Sequence, residues 1–298
     1  MEFFRANTKI NFMRQRRLAA IVSAILFVFS IWSIAANGLN LGLDFIGGSQ
    51  IQVSFQAAPN MVQMRRSLLQ AGYPAVVQRY GTSKDTLIKV DSKHSDGLRP
   101  AVTKLFPAAE VKQVEFIGPQ VGKTMLTNGI LAVVISLVAT MIYIAMRFEY
   151  RFAVSAAIAL IHDPVLILGI FSFFHLEFNL IVLAAVLTVI GYSLNDTIVV
   201  YDRVRENFRE MHKMSPVEIM NSSINQTLSR TIMTSGLTML VVIALFIYGG
   251  EVVHNFSLAL IIGIVVGTYS SIYVAGALAI AMGLNRESLL PKKLEEDD

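Results

Sequence analysis

The sequence predicts an α-helical membrane protein with six transmembrane helices and one small α+β domain between the first two. Of its 298 residues, 54% are hydrophobic and only 15% are charged, whereas soluble domains carry about 25% charged residues. The hydrophobic residues also gather into blocks close to the roughly 20 residues that cross a bilayer as a helix. A polar segment with strand and helix patterns separates the first block from the second.

Six blocks are long and apolar enough to span a membrane: 18–36, 125–146, 152–174, 178–200, 232–248 and 256–282. The first follows a basic N-terminal segment, 1–17, and exceeds the core of about 7–15 residues that is typical of a cleaved signal peptide. We therefore expect it to be retained as the first transmembrane helix. The other five form one group, 125–282, which a tail, 283–298, follows.

Basic residues beside these blocks predict the orientation. They concentrate in four stretches: 1–17, 147–151, 201–231 and 283–298. The turns at 175–179 and 249–255 contain neither lysine nor arginine. The long segment 37–124 is exempt because long segments translocate largely regardless of their charge. We therefore expect both termini in the cytoplasm and 37–124 on the outer side.

The outer segment has the pattern of a folded domain. Residues 50–56 alternate between polar and apolar, as in a half-buried strand. An amphipathic stretch follows Pro59 and ends at Gly72, a helix C-cap position. The remaining elements are two strands, a short helix and a last strand: 75–80, 86–90, 97–106 and 111–117. The order β-α-β-β-α-β predicts a ferredoxin-like fold.

Small residues recur every fourth position in the last apolar block, at Gly263, Gly267, Ser271, Ala275 and Ala279. This spacing places them on one face of a helix, and such faces let helices approach closely in lipid. The pattern favours close packing within the bundle over a direct functional role.

Ionisable residues within a span cost several kcal/mol unless they are paired or hydrated. Asp163 lies well inside the third block, between His162 and Pro164. Asp196 lies in the fourth, close to three polar residues, Ser193, Asn195 and Thr197. Either aspartate could take part in proton handling. Otherwise Asp163 would be a locally bonded residue at a proline kink, and Asp196 would belong to a buried polar cluster that joins helices. Arg230, at the start of the fifth block, could extend to the interface or reach inward to Asp196.

Other chemistry is disfavoured. GPQVGKT at 118–124 has one residue too few between its glycines for a phosphate-binding loop. Without cysteine, neither disulfides nor thiolate chemistry are available. The net charge of +4 follows membrane topology and does not indicate nucleic-acid binding. An intramembrane protease would need a Ser/His pair, a metal motif or two catalytic aspartates on facing helices. Only Asp163 and Asp196 could qualify as such aspartates, and the usual glycine–aspartate setting is missing. We expect no enzymatic activity, no metal and no cofactor.

Five segments closely resemble those of the SecF family, whose members are subunits of the bacterial SecD–SecF protein-export complex. They are GLDFIGG (42–48), RFEYRFAVSAAIALIHD (147–163), GYSLNDTIVVYDRVREN (191–207), SINQTLSRTIMTSG (223–236) and FSLALIIGIVVGTYSSIYVA (256–275). The resemblance covers nearly the whole chain, including the six-span layout. It also places the chain in the resistance–nodulation–division superfamily of proton-driven proteins.

The resemblance implies a multi-pass protein of the bacterial inner membrane, with 37–124 periplasmic. It implies that the chain pairs with SecD beside the SecYEG channel, with YajC and YidC as further partners. This unit would use the proton-motive force, with the proton as coupling ion, to promote preprotein translocation after the ATP-driven steps of SecA. No nucleic acid is implied, and the lipid bilayer is the remaining partner.

By the same resemblance, Asp196 is the proton-relay aspartate and Arg230 its basic partner, whereas Asp163 belongs to a His-Asp motif of less defined role. Asp44, Gly47 and Gly48 lie on the turn that links the first helix to the outer domain. Two alternatives stay open: one half of a proton-coupled small-molecule exporter of the same superfamily, or a non-conducting assembly scaffold.

Overall fold

The computed structural model describes residues 10–285, so the outer parts of the predicted terminal segments, 1–9 and 286–298, lie outside the described residues. The helices in chain order are α1 (Arg16–Asn37), α2 (Leu43–Ile46), α3 (Met61–Gln70), α4 (Leu98–Leu105), α5 (Pro119–Arg147), α6 (Tyr150–Phe173), α7 (Leu180–Glu210), α8 (Pro216–Tyr248), α9 (Glu251–Ser270) and α10 (Gly276–Ala281). A π-helical turn, Ser271–Ala275, joins α9 to α10. The strands are β1 (Asn40–Leu41), β2 (Gly48–Ser54), β3 (Val76–Tyr80), β4 (Thr82–Asp91), β5 (Glu110–Ile117) and β6 (Glu177–Phe178).

Six helical segments of the described chain are long and apolar enough to cross a membrane: α1 with the short turn before it, α5, α6, α7, α8, and α9 continued through α10. The chain is therefore a multi-pass membrane protein, as predicted. The helices α6, α7 and α9 form the most buried part of the bundle, whereas α1, α5 and α8 expose most of their surface. Those exposed apolar surfaces suit contact with lipid.

Two membrane helices are longer than their apolar blocks. The basic stretch 201–231, between the fourth and fifth apolar blocks, is mostly helical, because α7 continues to Glu210 and α8 begins at Pro216. Hydropathy marks only the part of a helix that lies in lipid, so it missed both extensions. The start of α8 is fixed by a capping box, in which Ser215 and Glu218 each bond the other's backbone N–H group.

The outer segment folds into a four-stranded antiparallel sheet with strand order β3-β4-β2-β5. Helices α3 and α4 connect the strands in the sequence β-α-β-β-α-β, which confirms the ferredoxin-like prediction. Alternate residues of the central strands, such as Ile51, Val53 and Ile88, pack against Leu68 of α3 and Val102 of α4. All five side chains are fully buried, so this domain has its own hydrophobic core.

The outer domain is attached to the bundle at the α6–α7 turn, residues 174–179. This turn contains β6, and β6 pairs in parallel with β1. The amide of Gly42 donates to the carbonyl of Phe178 at 2.8 Å. Lys89 of β4 forms an ion pair with Glu177 at 2.8 Å, and both side chains are mostly buried. The outer domain therefore contacts the turn between two membrane helices directly.

The Gly47–Gly48 pair ends α2 and begins β2 where backbone segments crowd together. Both residues have positive φ, +75° and +153°, a region that favours glycine. A Cβ on Gly48 would lie 2.1 Å from the carbonyl oxygen of Val90. Only glycine therefore fits at position 48 while β2 and β4 keep their register.

We predict that Gly48→Ala destabilises the outer domain by about 3 kcal/mol, because the added methyl group clashes with backbone that cannot move aside. Gly72→Ala is the matched control. Gly72 also has positive φ, +89°, but a Cβ there meets nothing within 4 Å, so only the backbone cost of about 1 kcal/mol remains. Hydrogen exchange of the β2 and β4 amides in the reconstituted chain measures both effects. Equal protection loss in the two variants would contradict the packing argument.

Candidate functional site

The carboxylate of Asp163 lies at the centre of the bundle, and none of its surface is exposed. It is roughly 20 Å from the first residue of α6, at 1.5 Å per residue. Ser270 of α9 donates to its Oδ2 at 2.8 Å, and Ser193 of α7 donates to the same atom. His162 Nδ1 lies 2.9 Å from Oδ1. One carboxylate thus joins α6, α7 and α9.

Small residues on α9 allow this convergence. A Cβ on Gly263 would lie 2.1 Å from a methyl group of Val189, and one on Gly267 would lie 3.0 Å from Cβ of Ser193. The α7 and α9 helices therefore touch at nearly backbone distance, and Ser193 and Ser270 can both reach Asp163. Ser271 and Ala275, the next members of the predicted small-residue face, lie in the π-helical turn and are fully buried.

The π-helical turn begins directly after Ser270, one of the donors to Asp163. Such turns are rare and frequently occur at functional sites. Its first residue, Ser271, donates its hydroxyl to the carbonyl of Thr268 at 3.0 Å. The helix is thus wound differently at the point where it binds the buried carboxylate.

Asp196 is the second buried carboxylate, and its residue is 2% exposed. Ser235 of α8 donates to its Oδ2 across a long distance of 3.5 Å. The same hydroxyl lies 3.1 Å from that of Thr268 on α9. The two carboxylates and these hydroxyls form a polar belt (Asp163, Ser193, Asp196, Ser235, Thr268 and Ser270) across α6, α7, α8 and α9.

The other predicted residues near Asp196 are arranged differently. Ser193 bonds Asp163, and the hydroxyl of Thr197 donates to the carbonyl of Ser193 at 3.2 Å. Asn195 is exposed on the outside of α7. The exposed Arg230 is near enough for its charge to act on Asp196. However, no ion pair within 4 Å joins this arginine to any acidic residue in the described part of the chain.

Sequence reasoning did not select Ser235, Thr268 or Ser270 as members of the site. Serine and threonine are common in membrane helices and often bond only the backbone of their own helix. The one available signal was the density of hydroxyls in the TYSS run at 268–271. The recurrence of small residues at four-residue spacing selected Ser271, whereas Ser270 bonds the carboxylate.

The predicted linking turn contacts the bundle through Asp44. Its Oδ2 accepts a hydrogen bond at 3.0 Å from the amide of Leu180, the first residue of α7. A carboxylate at this position also interacts favourably with the positive end of the helix dipole. Asp44, Gly47 and Gly48 therefore lie where α2, β2 and the start of α7 meet. Among residues 10–285, no group of three or more histidine or acidic side chains is placed to hold a metal ion.

Two family models match the chain. The model described as "Protein export membrane protein SecD/SecF, C-terminal" covers residues 98–285, and the "SecD/SecF GG Motif" covers residues 32–59. The first contains both buried aspartates, and the second contains Asp44, Gly47 and Gly48. The matched regions thus contain all the site residues considered above.

Relatives that match this chain over nearly its whole length are named as SecF subunits. The chain is 43% identical to the "Protein translocase subunit SecF" of Vibrio alginolyticus, over 99% of this chain and 97% of the relative. It is 42% identical to the protein of that name from Pseudomonas aeruginosa, over 96% of each. A crystal structure of SecDF from Thermus thermophilus, described as a translocon-associated membrane protein, superposes with a TM-score of 0.84 at 37% identity. That match covers 94% of this chain and 39% of the SecDF chain.

We predict that Ser270→Ala destabilises the bundle by about 1–3 kcal/mol, because it leaves one oxygen of the buried Asp163 with a donor fewer. Ser257→Ala is the matched control on the same helix. Ser257 is also fully buried, but its hydroxyl has no hydrogen-bond partner, so its removal should cost little or stabilise. Thermal unfolding of the two variants in the same detergent makes the comparison. A control variant as unstable as Ser270→Ala would contradict the role given to this bond.

Proposed function

The chain belongs to the SecD/SecF family of protein-export membrane proteins, and on that premise we propose that it works as the SecF-type subunit of a proton-driven translocase. With a SecD-type partner it promotes preprotein translocation through the SecYEG channel, after the ATP-driven steps of SecA. YajC and YidC are further proposed partners. The observation that carries this proposal is the pair of buried carboxylates, Asp163 and Asp196, in helices that cross the bilayer.

A carboxylate inside a bilayer is costly and generally marks a functional position. Asp196 has one long hydrogen bond, from Ser235, so a change in its protonation state breaks little of the surrounding structure. Asp196 is the proton-exchanging residue in this proposal. Arg230 on α8 is the nearby cation whose charge acts on the Asp196 carboxylate. Asp163, which is bonded by two hydroxyls and an imidazole, receives the effect of that exchange through α7, the helix that carries both Asp196 and Ser193.

The energy available from a proton is sufficient for such a change. Moving one charge through 100 mV yields about 2.3 kcal/mol. At a potential on the order of 150 mV, one proton therefore supplies about 3.5 kcal/mol. That free energy shifts a two-state equilibrium by a few hundredfold. Repacking of α7 against the small-residue face of α9 is the proposed two-state element.

The proposed orientation has both termini in the cytoplasm and the outer domain in the periplasm. The distribution of basic residues supports it. Arg147 and Arg151 lie at the α5–α6 turn, whereas Lys89 and Glu177 join the outer domain to the α6–α7 turn at the opposite end. In this proposed orientation the outer domain lies on the side where a preprotein emerges, and movement of α6 or α7 would reach it through β6.

The exposed face of α7 supports a partner in the membrane. It presents Ala184, Thr188, Gly191 and Asn195 at spacings of three or four residues. Small and polar residues at this spacing are typical of helix–helix contacts in lipid, and an amide exposed to acyl chains would be unfavourable. The SecD-type subunit is the partner we propose for this face.

We predict that Asp196→Asn abolishes the acceleration of export by a proton gradient, because an amide cannot exchange a proton as a carboxylate does. Export of a preprotein into inverted membrane vesicles, at saturating ATP and with or without a gradient, is the measurement. Asp202→Asn is the matched control on α7. Asp202 lies outside the belt, is partly exposed and pairs with Arg147, so this variant should respond to the gradient as wild type does.

Either alternative function gives a different result. A non-conducting scaffold tolerates Asp196→Asn, so an unchanged gradient response would exclude the relay role of Asp196. A small-molecule exporter would leave preprotein export unaffected by both variants and by the gradient.

We also predict that Lys89→Met loosens the outer domain from the bundle, because Glu177 keeps a mostly buried charge without a partner. Hydrogen exchange at β1 and β6 should rise, and preprotein export should slow. Lys112→Met is the control, since Lys112 pairs with Asp85 inside the outer domain. The exchanged pair Lys89→Glu with Glu177→Lys should restore much of the protection. If Lys112→Met raises exchange at β6 equally, Lys89 has no special role in docking.

A further inference from the structure

A cavity of about 720 Å³ lies beside the bundle, between α1, α6 and the segment formed by the π-helical turn and α10. It is separate from the polar belt, although His162 forms part of its wall. Most of its walls are alkyl and aromatic groups, including Ala20, Ala24, Phe27 and Ala277. A cavity with such walls does not hold water readily, so its occupant should be apolar along most of its length.

One end of the cavity is strongly positive. Arg16 and Arg17, the first two residues of α1, line it there. Neither arginine has an ion pair or side-chain hydrogen bond with another residue of the described chain, and Nη1 of Arg16 is buried without a partner. A buried cationic donor without an acceptor is costly. An anion at this end would give the Arg16 donor an acceptor, and guanidinium groups bind phosphate well.

The length of the cavity matches the thickness of one leaflet of the bilayer. From Arg16 to Phe27 the α1 wall comprises twelve residues, and the eleven steps between them span about 16 Å at 1.5 Å each. This is about half of the roughly 30 Å hydrocarbon core. The cavity is therefore too short for a membrane-spanning helix, and its length suits one acyl chain.

We propose that this cavity binds one anionic phospholipid. Its phosphate lies between Arg16 and Arg17, and an acyl chain follows the face of α1 formed by Ala20 and Ala24. The chain ends near Phe27, whose ring stacks on His162 with 6.1 Å between centroids. This assignment does not depend on the export function.

The lipid has a consequence for the polar belt. His162 Nε2 is buried without a partner on the side of the ring opposite the nitrogen that bonds Asp163. An acyl chain in the cavity keeps water away from this imidazole. It thereby also protects Oδ1 of Asp163, whose hydrogen-bond partner is His162 of the same helix. The bound lipid would therefore keep water from approaching Asp163 through His162.

Native mass spectrometry of the purified full chain tests the proposal. The chain is mixed with equal amounts of phosphatidylglycerol and phosphatidylcholine carrying the same acyl chains. We expect one phosphatidylglycerol to be retained in preference to phosphatidylcholine by a factor of about ten, which corresponds to about 1.4 kcal/mol. The double variant Arg16→Gln with Arg17→Gln should bring this ratio close to one. Arg14→Gln, which removes an exposed arginine that does not line the cavity, should leave it unchanged.

A second pair of variants tests the position of the acyl chain. Ala24→Phe fills the cavity and should reduce retention of both lipids, whereas Ile25→Phe, on the exposed side of α1, should not. Equal retention of the two lipids by wild type would overturn the proposal, as would a preference that survives loss of both arginines. A photo-reactive side chain at position 24 that captures a protein in native membranes, instead of a lipid, would also overturn it.

Discussion

The carboxylate of Asp163, enclosed among helices in a membrane, is the constraint on which the bundle depends. A charge or polar group there must be bonded from several sides, and the donors come from α6, α7 and α9. They can converge only because Gly263 and Gly267 let α9 approach α7 at nearly backbone distance. Close packing and hydrogen bonding therefore depend on each other. The small residues let α7 and α9 approach, and the hydroxyl groups that bond Asp163 fix the register of these helices.

The same helices carry this constraint to the outer domain. Asp163 lies on α6 and Asp196 on α7, and the turn between these helices contains β6. Strand β6 of that turn pairs with β1, and its Glu177 forms an ion pair with Lys89 of the outer sheet. Directly after the turn, the amide of Leu180 in α7 donates to Asp44. A shift of α6 relative to α7 would thus act on the outer domain without passing through a flexible linker. The independent hydrophobic core of that domain lets it move as a unit.

Much of this architecture could be predicted from the sequence, because the relevant signals are local. Alternation and turn residues predicted the order of strands and helices in the outer domain, and block length predicted the six spans. Hydropathy could not predict that α7 and α8 continue beyond the lipid. Asp163 and Asp196 were identifiable because an acidic residue in an apolar block is costly wherever its side chain points.

The partners of these aspartates could not be predicted, because they depend on which helices face each other. Neighbours in sequence are about 100° apart around a helix, so Asn195 points away from Ser193 and Asp196. These two share one side of α7 but meet different helices. Ser193 bonds Asp163, Asn195 lies on the exterior, and Asp196 turns toward Ser235 of α8. Ser270 was hidden for a related reason, since a hydroxyl next to a small-residue face has no pattern of its own.

The two buried aspartates differ in how much of the structure depends on each. A change at Asp163 would disturb hydrogen bonds that join three helices, at the point where a π-helical turn begins. A change at Asp196 would disturb one long bond to Ser235. Because α7 carries both Asp196 and Ser193, an event at the weakly bonded site can alter the strongly bonded one by a small movement of a single helix. In the proposed function, this division is the reason for assigning proton exchange to Asp196 and the resulting change of packing to Asp163.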